Sequence, residues 1–164
     1  MSFTVHLAKE SFKFSSTHFT IFSESKAERL HGHNYQVVCD IELSEISSAI
    51  GMAFDFNIIK PEIKALCDQI DEYILIPARS PFLKIKHIAD SLEMEFAGRR
   101  YLFPKADCRE LELVNITSEE LARYFCERLW SQLQKRPEVK SFRSLQISIE
   151  ETKGQSVSYK RVLS

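Results

Sequence analysis

The chain has 164 residues, close to the usual size of one domain and long enough to bury its own core. Its 22 lysines and arginines against 23 aspartates and glutamates leave a net charge of −1, without the basic excess that a nucleic-acid footprint needs. No run approaches the roughly 18 apolar residues of a membrane span, and the cysteines at 39, 67, 108 and 126 lack CxxC spacing. The chain therefore reads as a cytoplasmic protein with reduced thiols that binds neither nucleic acid nor membrane.

The opening MSFTVHLAKE alternates as a strand and offers no signal peptide. Phe3, Val5 and Leu7 share one parity and Phe12, Phe14, Ser16 and His18 the other, which predicts a bulge or break between Ala8 and Ser11. From Thr20 to Leu30 the sequence is polar and without period, a flexible loop of the kind that carries chemistry. A strand follows, because Tyr35, Val37, Cys39, Ile41 and Leu43 alternate with Asn34, Gln36, Val38, Asp40 and Glu42. On a strand His31 and His33 leave the same face, with Gly32 between them permitting close approach of another segment.

Asn57 is the expected N-cap of a first helix, with Pro61 near its first turn and Ile59, Ile63, Leu66 and Ile70 on one apolar face. IDEYILIP, Ile70 to Pro77, follows it. Between 81 and 115, Leu83 with Ile85, then Leu92, Met94 and Phe96, a turn at Ala97 and Gly98, and finally Tyr101 and Phe103 predict two or three short strands, a β insertion that covers a pocket or extends an interface. Thr117, Ser118, Glu119 and Glu120 form a capping box, Thr117 accepting from the backbone and Glu120 reaching back. Leu121, Phe125, Leu129 and Leu133 define the second helix, which stops before Pro137. Leu145, Ile147 and Ile149 form a buried strand face that Glu151 continues, and Val157, Tyr159 and Val162 form the last strand. The sum is a single α+β domain over 1–164, an antiparallel sheet with two helices on one face. Its open edges invite pairing between subunits.

His18, His31 and His33, converging from two strands, fit a zinc site with an open fourth position. On spacing alone they fit equally well three polar strand residues without a metal. Glu151 at the end of an apolar face needs a partner, either an internal cation or the paired N–H donors of a heterocycle such as a pterin or a guanine.

FSSTH and LHGHNY resemble the zinc motifs of the 6-pyruvoyl-tetrahydropterin synthase and 6-carboxy-tetrahydropterin synthase family, and GMAFDFNIIK, TSEE and Glu151-Thr152 resemble further segments of it. The resemblance implies the tunnelling fold, closed into a barrel through its sheet edges. It also implies a homohexamer built as a dimer of trimers with sites at subunit interfaces, and a substrate such as 7,8-dihydroneopterin triphosphate. It makes His18, His31 and His33 ligands of Zn2+, makes Glu151 the pterin anchor, and places Thr117 and Glu119 at the floor of the pterin pocket. Helix capping alone also accounts for the TSEE sequence.

Two departures redirect the expected chemistry. The family's usual catalytic cysteine falls at Ala27, and the adjacent Glu28 resembles a variant class in which glutamate stands in and the product is 6-hydroxymethyl-7,8-dihydropterin. The usual Asp-His pair is Asp71-Glu72, which makes these two residues lesser candidates for a proton relay. The expected activity is thus a zinc-dependent carbon–carbon lyase with Glu28 as base. The alternatives are a pyruvoyl- or carboxy-forming synthase, and a pterin-binding protein without turnover.

Overall fold

A computed structural model describes residues 3–163. The long strand β3 (His31–Leu43) is the spine of a seven-stranded sheet. On one side it pairs antiparallel with β9 (Phe142–Thr152), which pairs with β10 (Gln155–Val162). On the other side it pairs with two short strands in succession, β1 (Phe3–Leu7) and β2 (Lys13–His18). The break expected between them is real. Leu7 pairs with Cys39 and Lys13 with Gln36, so five residues of one chain segment face two of the other. The excess of three is odd, which is why the apolar parity flips between Leu7 and Phe12.

Beyond β2 lie β4 (Tyr73–Pro77) and β8 (Cys108–Leu111), both in parallel pairings. The sheet is therefore mixed, where alternation alone led to an antiparallel one. The helix α1 (Lys60–Asp68) separates β3 from β4, and after that crossover the chain re-enters beside β2 running in the same direction. Side-chain alternation carries no record of strand direction.

α1 and α2 (Ser118–Leu133) cover one face of the sheet. Ile59, Ile63, Leu66 and Ile70 from the first helical segment and Leu121, Phe125, Leu129 and Leu133 from the second meet Phe14, Tyr35, Val37, Cys39, Leu145, Ile147 and Ile149 in one core. Each such buried side chain contributes roughly 1.5–3 kcal/mol. The caps differ in detail from expectation. Asp55, not Asn57, accepts from the backbone at the start, capping a short 3-10 turn that leads into α1. Thr117 Oγ1 does accept from Glu120 N, but the Glu120 carboxylate turns outward to Arg123, so only half of the capping box forms. In β10 the inward residues are Val157 and Tyr159; Val162 is exposed.

The region expected to hold two or three strands holds three in a separate antiparallel sheet, β5 (Lys84–Ile88), β6 (Ser91–Phe96) and β7 (Arg99–Pro104). Ala97 and Gly98 both have positive φ, which suits a two-residue hairpin turn. Leu92, Met94 and Phe96 form a second core with Phe19, Ile21 and Ile76, flanked by Ala27 and Leu30. This small sheet lies against the segment that precedes His31. Cys39, Cys67 and Cys126 are buried free thiols, and burial pushes Cys67 up to about 12 and Cys126 up to about 11, as inert core residues. Among the described residues, no helix is long and apolar enough to cross a membrane.

Candidate metal centre and ligand cleft

The β2–β3 ladder places His18 directly opposite His31 and Ser16 opposite His33. Paired residues share a face, and so do residues two apart, so all three imidazoles leave one face at one end of the ladder. One nitrogen from each ring comes within 4.8 Å of the others, a cluster able to hold a metal ion. Gly32 is not demanded by β2. A Cβ there would meet Ser16 O at 3.4 Å and Thr17 Oγ1 at 3.5 Å, which is near-ordinary contact.

Two backbone carbonyls orient the ligands. His18 Nδ1 lies 3.0 Å from Ile116 O, and His31 Nδ1 lies 2.7 Å from Arg29 O. A carbonyl only accepts, so each Nδ1 carries the proton and each Nε2 keeps its lone pair for a metal. His18 is almost wholly buried, and burial lowers its pKa, which favours the neutral, ligating form. Three imidazole nitrogen donors with an accessible side match the chemistry of Zn2+ in a catalytic setting.

Glu151 borders this cluster. Its Oε1 is 3.3 Å from His33 Nε2, 3.4 Å from His18 Nε2, and accepts from Tyr35 Oη at 3.1 Å. Ser118 Oγ lies 3.5 Å from the other carboxylate oxygen. Tyr35 Oη is also 3.0 Å from His18 Nε2. The hydroxyl has one proton and two acceptors; once a metal takes the His18 lone pair, that proton belongs to Glu151. Burial, then the Glu151 charge, raises the Tyr35 pKa and keeps the hydroxyl protonated.

Glu28 approaches from the loop. Its Oε2 accepts from Thr20 N at 3.1 Å and lies 3.9 Å from His31 Nε2. Burial acts to raise its pKa, but hydrogen bonding from Thr20, with a lesser electrostatic contribution from the neighbouring His31 and His18, outweighs it and holds the carboxyl below its usual range. The loop is not the loose segment expected from its polarity. Glu28 N donates to Thr20 O, Ile21 and Ala27 form a bridge, and Phe22 N and Ser23 N donate to Lys26 O. Asn115 closes the structure by accepting from Ile21 N and donating to Ile21 O.

Glu28, Thr117, Glu119 and Glu151 line one open cleft of about 780 Å³ together with Thr20, Phe22 and Ser118. Asp71 and Glu72 do not join them within the chain. Glu72 lines a separate cleft of about 240 Å³ with Ser15, Thr17, Gly32, His33 and Asn34. Ser16 and Tyr73 also line this cleft, and Glu72 shares it with one of the three histidines, His33, while Glu28 and Glu151 line the larger one. Asp71 Oδ1 accepts from Ser15 N and Glu72 N donates to Ser15 O, both at 2.7 Å, fastening the start of β4 to β2. Glu72 adopts a left-handed backbone, φ 62°, to make that contact. Among the described residues, neither carboxylate bonds to one of the three histidines.

Tyr35, Ser118, Asn115 and the Ile116 carbonyl were not among the expected site residues. The parity that joins Tyr35 to His31 and His33 was readable; the others act through backbone atoms or across long sequence separations.

A family model described as 6-pyruvoyl tetrahydropterin synthase matches residues 6–162. A Methanocaldococcus jannaschii protein provisionally named 6-carboxy-5,6,7,8-tetrahydropterin synthase is 28% identical over 152 residues, covering 92% of this chain and 91% of the relative. Two solved structures, described as 6-pyruvoyl tetrahydropterin synthases, cover 99% of both chains. The one from Plasmodium vivax has 25% identity and a TM-score of 0.92, and the one from Plasmodium falciparum 26% and 0.88.

Proposed function

Because the chain belongs to the 6-pyruvoyl tetrahydropterin synthase family, whose members carry out tetrahydropterin synthase-type lyase reactions on pterins, we propose that it is a zinc-dependent carbon–carbon lyase. Its substrate is 7,8-dihydroneopterin triphosphate or a related dihydropterin, and its product is 6-hydroxymethyl-7,8-dihydropterin. The observation that carries this reading is the Glu28 carboxylate, held 3.9 Å from His31 Nε2 by Thr20 where Ala27 leaves no thiol. Variants of the Plasmodium vivax enzyme have been solved in which a glutamate described as its catalytic residue is replaced by alanine or cysteine, which supports a carboxylate in this role.

His18, His31 and His33 would hold Zn2+, which would supply a Lewis acid able to lower the pKa of a side-chain hydroxyl. Glu151 accepts two N–H donors from the amino-pyrimidinone edge of the pterin, as a carboxylate does from arginine, with Thr117 and Glu119 at the floor of the cleft. Glu28, kept ionised by its surroundings, takes the proton of the hydroxyl on the second side-chain carbon. That O–H electron pair forms a carbonyl, and the bond between the first and second side-chain carbons breaks. The released pair passes to the first carbon, which the dihydropterin ring stabilises, and a proton returned there completes the hydroxymethyl product. The other fragment leaves as glycolaldehyde triphosphate, and no oxidant or reductant is consumed. A homohexamer, a dimer of trimers joined through sheet edges, would bring Asp71 and Glu72 of one subunit to the site of the next as secondary proton carriers.

The names carried by the archaeal relative and by the Plasmodium structures favour a second reading, a synthase that eliminates triphosphate to give a carboxy or pyruvoyl product. Ala27 and Glu72 stand against it, since the two proton carriers that the family pattern uses are both changed. The test is incubation of zinc-loaded protein with 7,8-dihydroneopterin triphosphate and mass-spectrometric identification of every pterin formed. Hydroxymethyl pterin is expected. A pyruvoyl or carboxy product overturns the lyase in favour of the synthase, and tight binding without turnover leaves a binding protein.

A further inference from the structure

The loop that presents Glu28 is gripped from a second direction, by the three-stranded sheet. Arg99, the first residue of β7, donates from Nη1 to the backbone carbonyl of Glu28 at 3.0 Å. Its guanidinium lies 5.1 Å from the centre of the Phe96 ring and 6.0 Å from that of Phe19. Phe96 belongs to the inner face of β6 and Phe19 begins the Glu28 loop, so the cation sits between the sheet and the loop. Arg99 is half-buried, and a guanidinium so placed has fewer rotamers than one in solvent.

The grip is directional. Phe19, Ile21, Ala27 and Leu30 rest on Leu92, Met94 and Phe96 through apolar contact, which fixes the loop's height over the sheet but not its orientation. The Arg99 hydrogen bond fixes the Glu28 carbonyl, and with it the Cα–Cβ direction of the residue whose carboxylate faces His31. Thr20 and Asn115 hold the opposite limb of the same loop.

We propose that Arg99 is a positioning residue for Glu28, and that the β5–β7 sheet is the platform from which it aims the Glu28 carboxylate at the imidazole cluster. This rests on the reading of Glu28 as the base. Arg99 is not among the residues that line the ligand cleft; it reaches Glu28 at the backbone carbonyl, away from the carboxylate, and takes no part in proton transfer. Its contribution is geometric, so its loss lowers kcat and leaves KM and metal content alone.

The test is a double-mutant cycle on zinc-loaded protein, using Arg99→Met, which keeps the length of the apolar stem, and Glu28→Gln. Arg99→Met is expected to lower kcat about ten- to a hundredfold with KM unchanged, because small misplacement of a reacting group has that cost. In the Glu28→Gln background the same change is expected to have less than about a twofold effect, since there is no base left to aim. Arg99→Lys, which restores the charge and one donor, recovers part of the rate and serves as the test if Arg99→Met does not fold. Zinc content and thermal midpoint are read on each variant. Equal losses in both backgrounds would mean that Arg99 only supports the fold, and an unchanged kcat in Arg99→Met would mean that it does not aim Glu28; either overturns the inference. A Glu28→Gln protein of undiminished rate removes the base reading itself, whatever Arg99 does.

Discussion

The imidazole cluster and the Glu28 carboxylate meet at the same place, but they are held in different ways. His18, His31 and His33 are fixed by the β2–β3 register, a ladder of main-chain hydrogen bonds backed by the principal core. Glu28 rides on a nine-residue hairpin at 20–28 whose position comes from side chains far off in sequence, Asn115 across 94 residues and Arg99 across 71. The imidazole half of the site is thus a property of one sheet. The Glu28 half depends on two separate elements agreeing, so substitutions in the two halves should have distinct signatures.

The largest effect falls on the ladder half. His33→Ala should reduce zinc from one per chain to near none and turnover by about a thousandfold or more, the several kcal/mol that a Lewis acid supplies. Metal analysis beside rate measurement checks this, and removal of zinc by chelator should reproduce it reversibly. Full activity without metal would dissolve the distinction between the halves.

Glu151→Ala, at the boundary of the two, should weaken pterin binding about ten- to a hundredfold, since hydrogen bonds to a charged group contribute roughly 1.5–3 kcal/mol. Calorimetric titration with a non-reactive pterin reads it. Selective loss of zinc instead would reassign Glu151 as a metal ligand, a possibility its 3.3–3.4 Å distances from His33 and His18 make worth separating.

Asn115→Ala acts chiefly on the loop half, although Asn115 Oδ1 also accepts from Ile116 N. Losing both hydrogen bonds to Ile21 should cost about 1–3 kcal/mol and lower the thermal midpoint, with zinc retained. Loss of zinc in this variant would show that loop and ladder are one unit. Tyr35→Phe should have the smallest effect, about fivefold in pterin affinity for one hydrogen bond, and only in zinc-loaded protein, where the hydroxyl's proton is committed to Glu151. An equal effect without zinc would contradict that assignment.

The same division explains what could be read from the chain beforehand. Parity put His31 and His33 on one face and carried Glu151 to the end of the β9 face, because the period of a strand is written in every second residue; that His18 on the neighbouring strand joins them needed the strand register, and the family resemblance pointed to it. The two helices were equally legible from Ile59 to Ile70 and from Leu121 to Leu133. Strand direction was not, and β4 and β8 run parallel for reasons of connectivity. The loop at 20–28 looked flexible because its residues are polar. Its order comes from Ile21–Ala27 pairing and from partners in the 84–104 sheet and at Asn115, none of which leaves a local trace. Asp71 and Glu72 are candidates through the family's Asp-His position, and within the chain Asp71 Oδ1 and Glu72 N fasten the start of β4 to the Ser15 backbone.

The most direct measurement is made on Glu28→Ala, with zinc content and the rate of 6-hydroxymethyl-7,8-dihydropterin formation taken from one sample. Zinc at one per chain with the rate down about a hundred- to ten-thousandfold, the range of general acid–base catalysis, is the predicted result. Zinc retained with an undiminished rate would contradict the account, because the carboxylate beside the cluster would then not be the base.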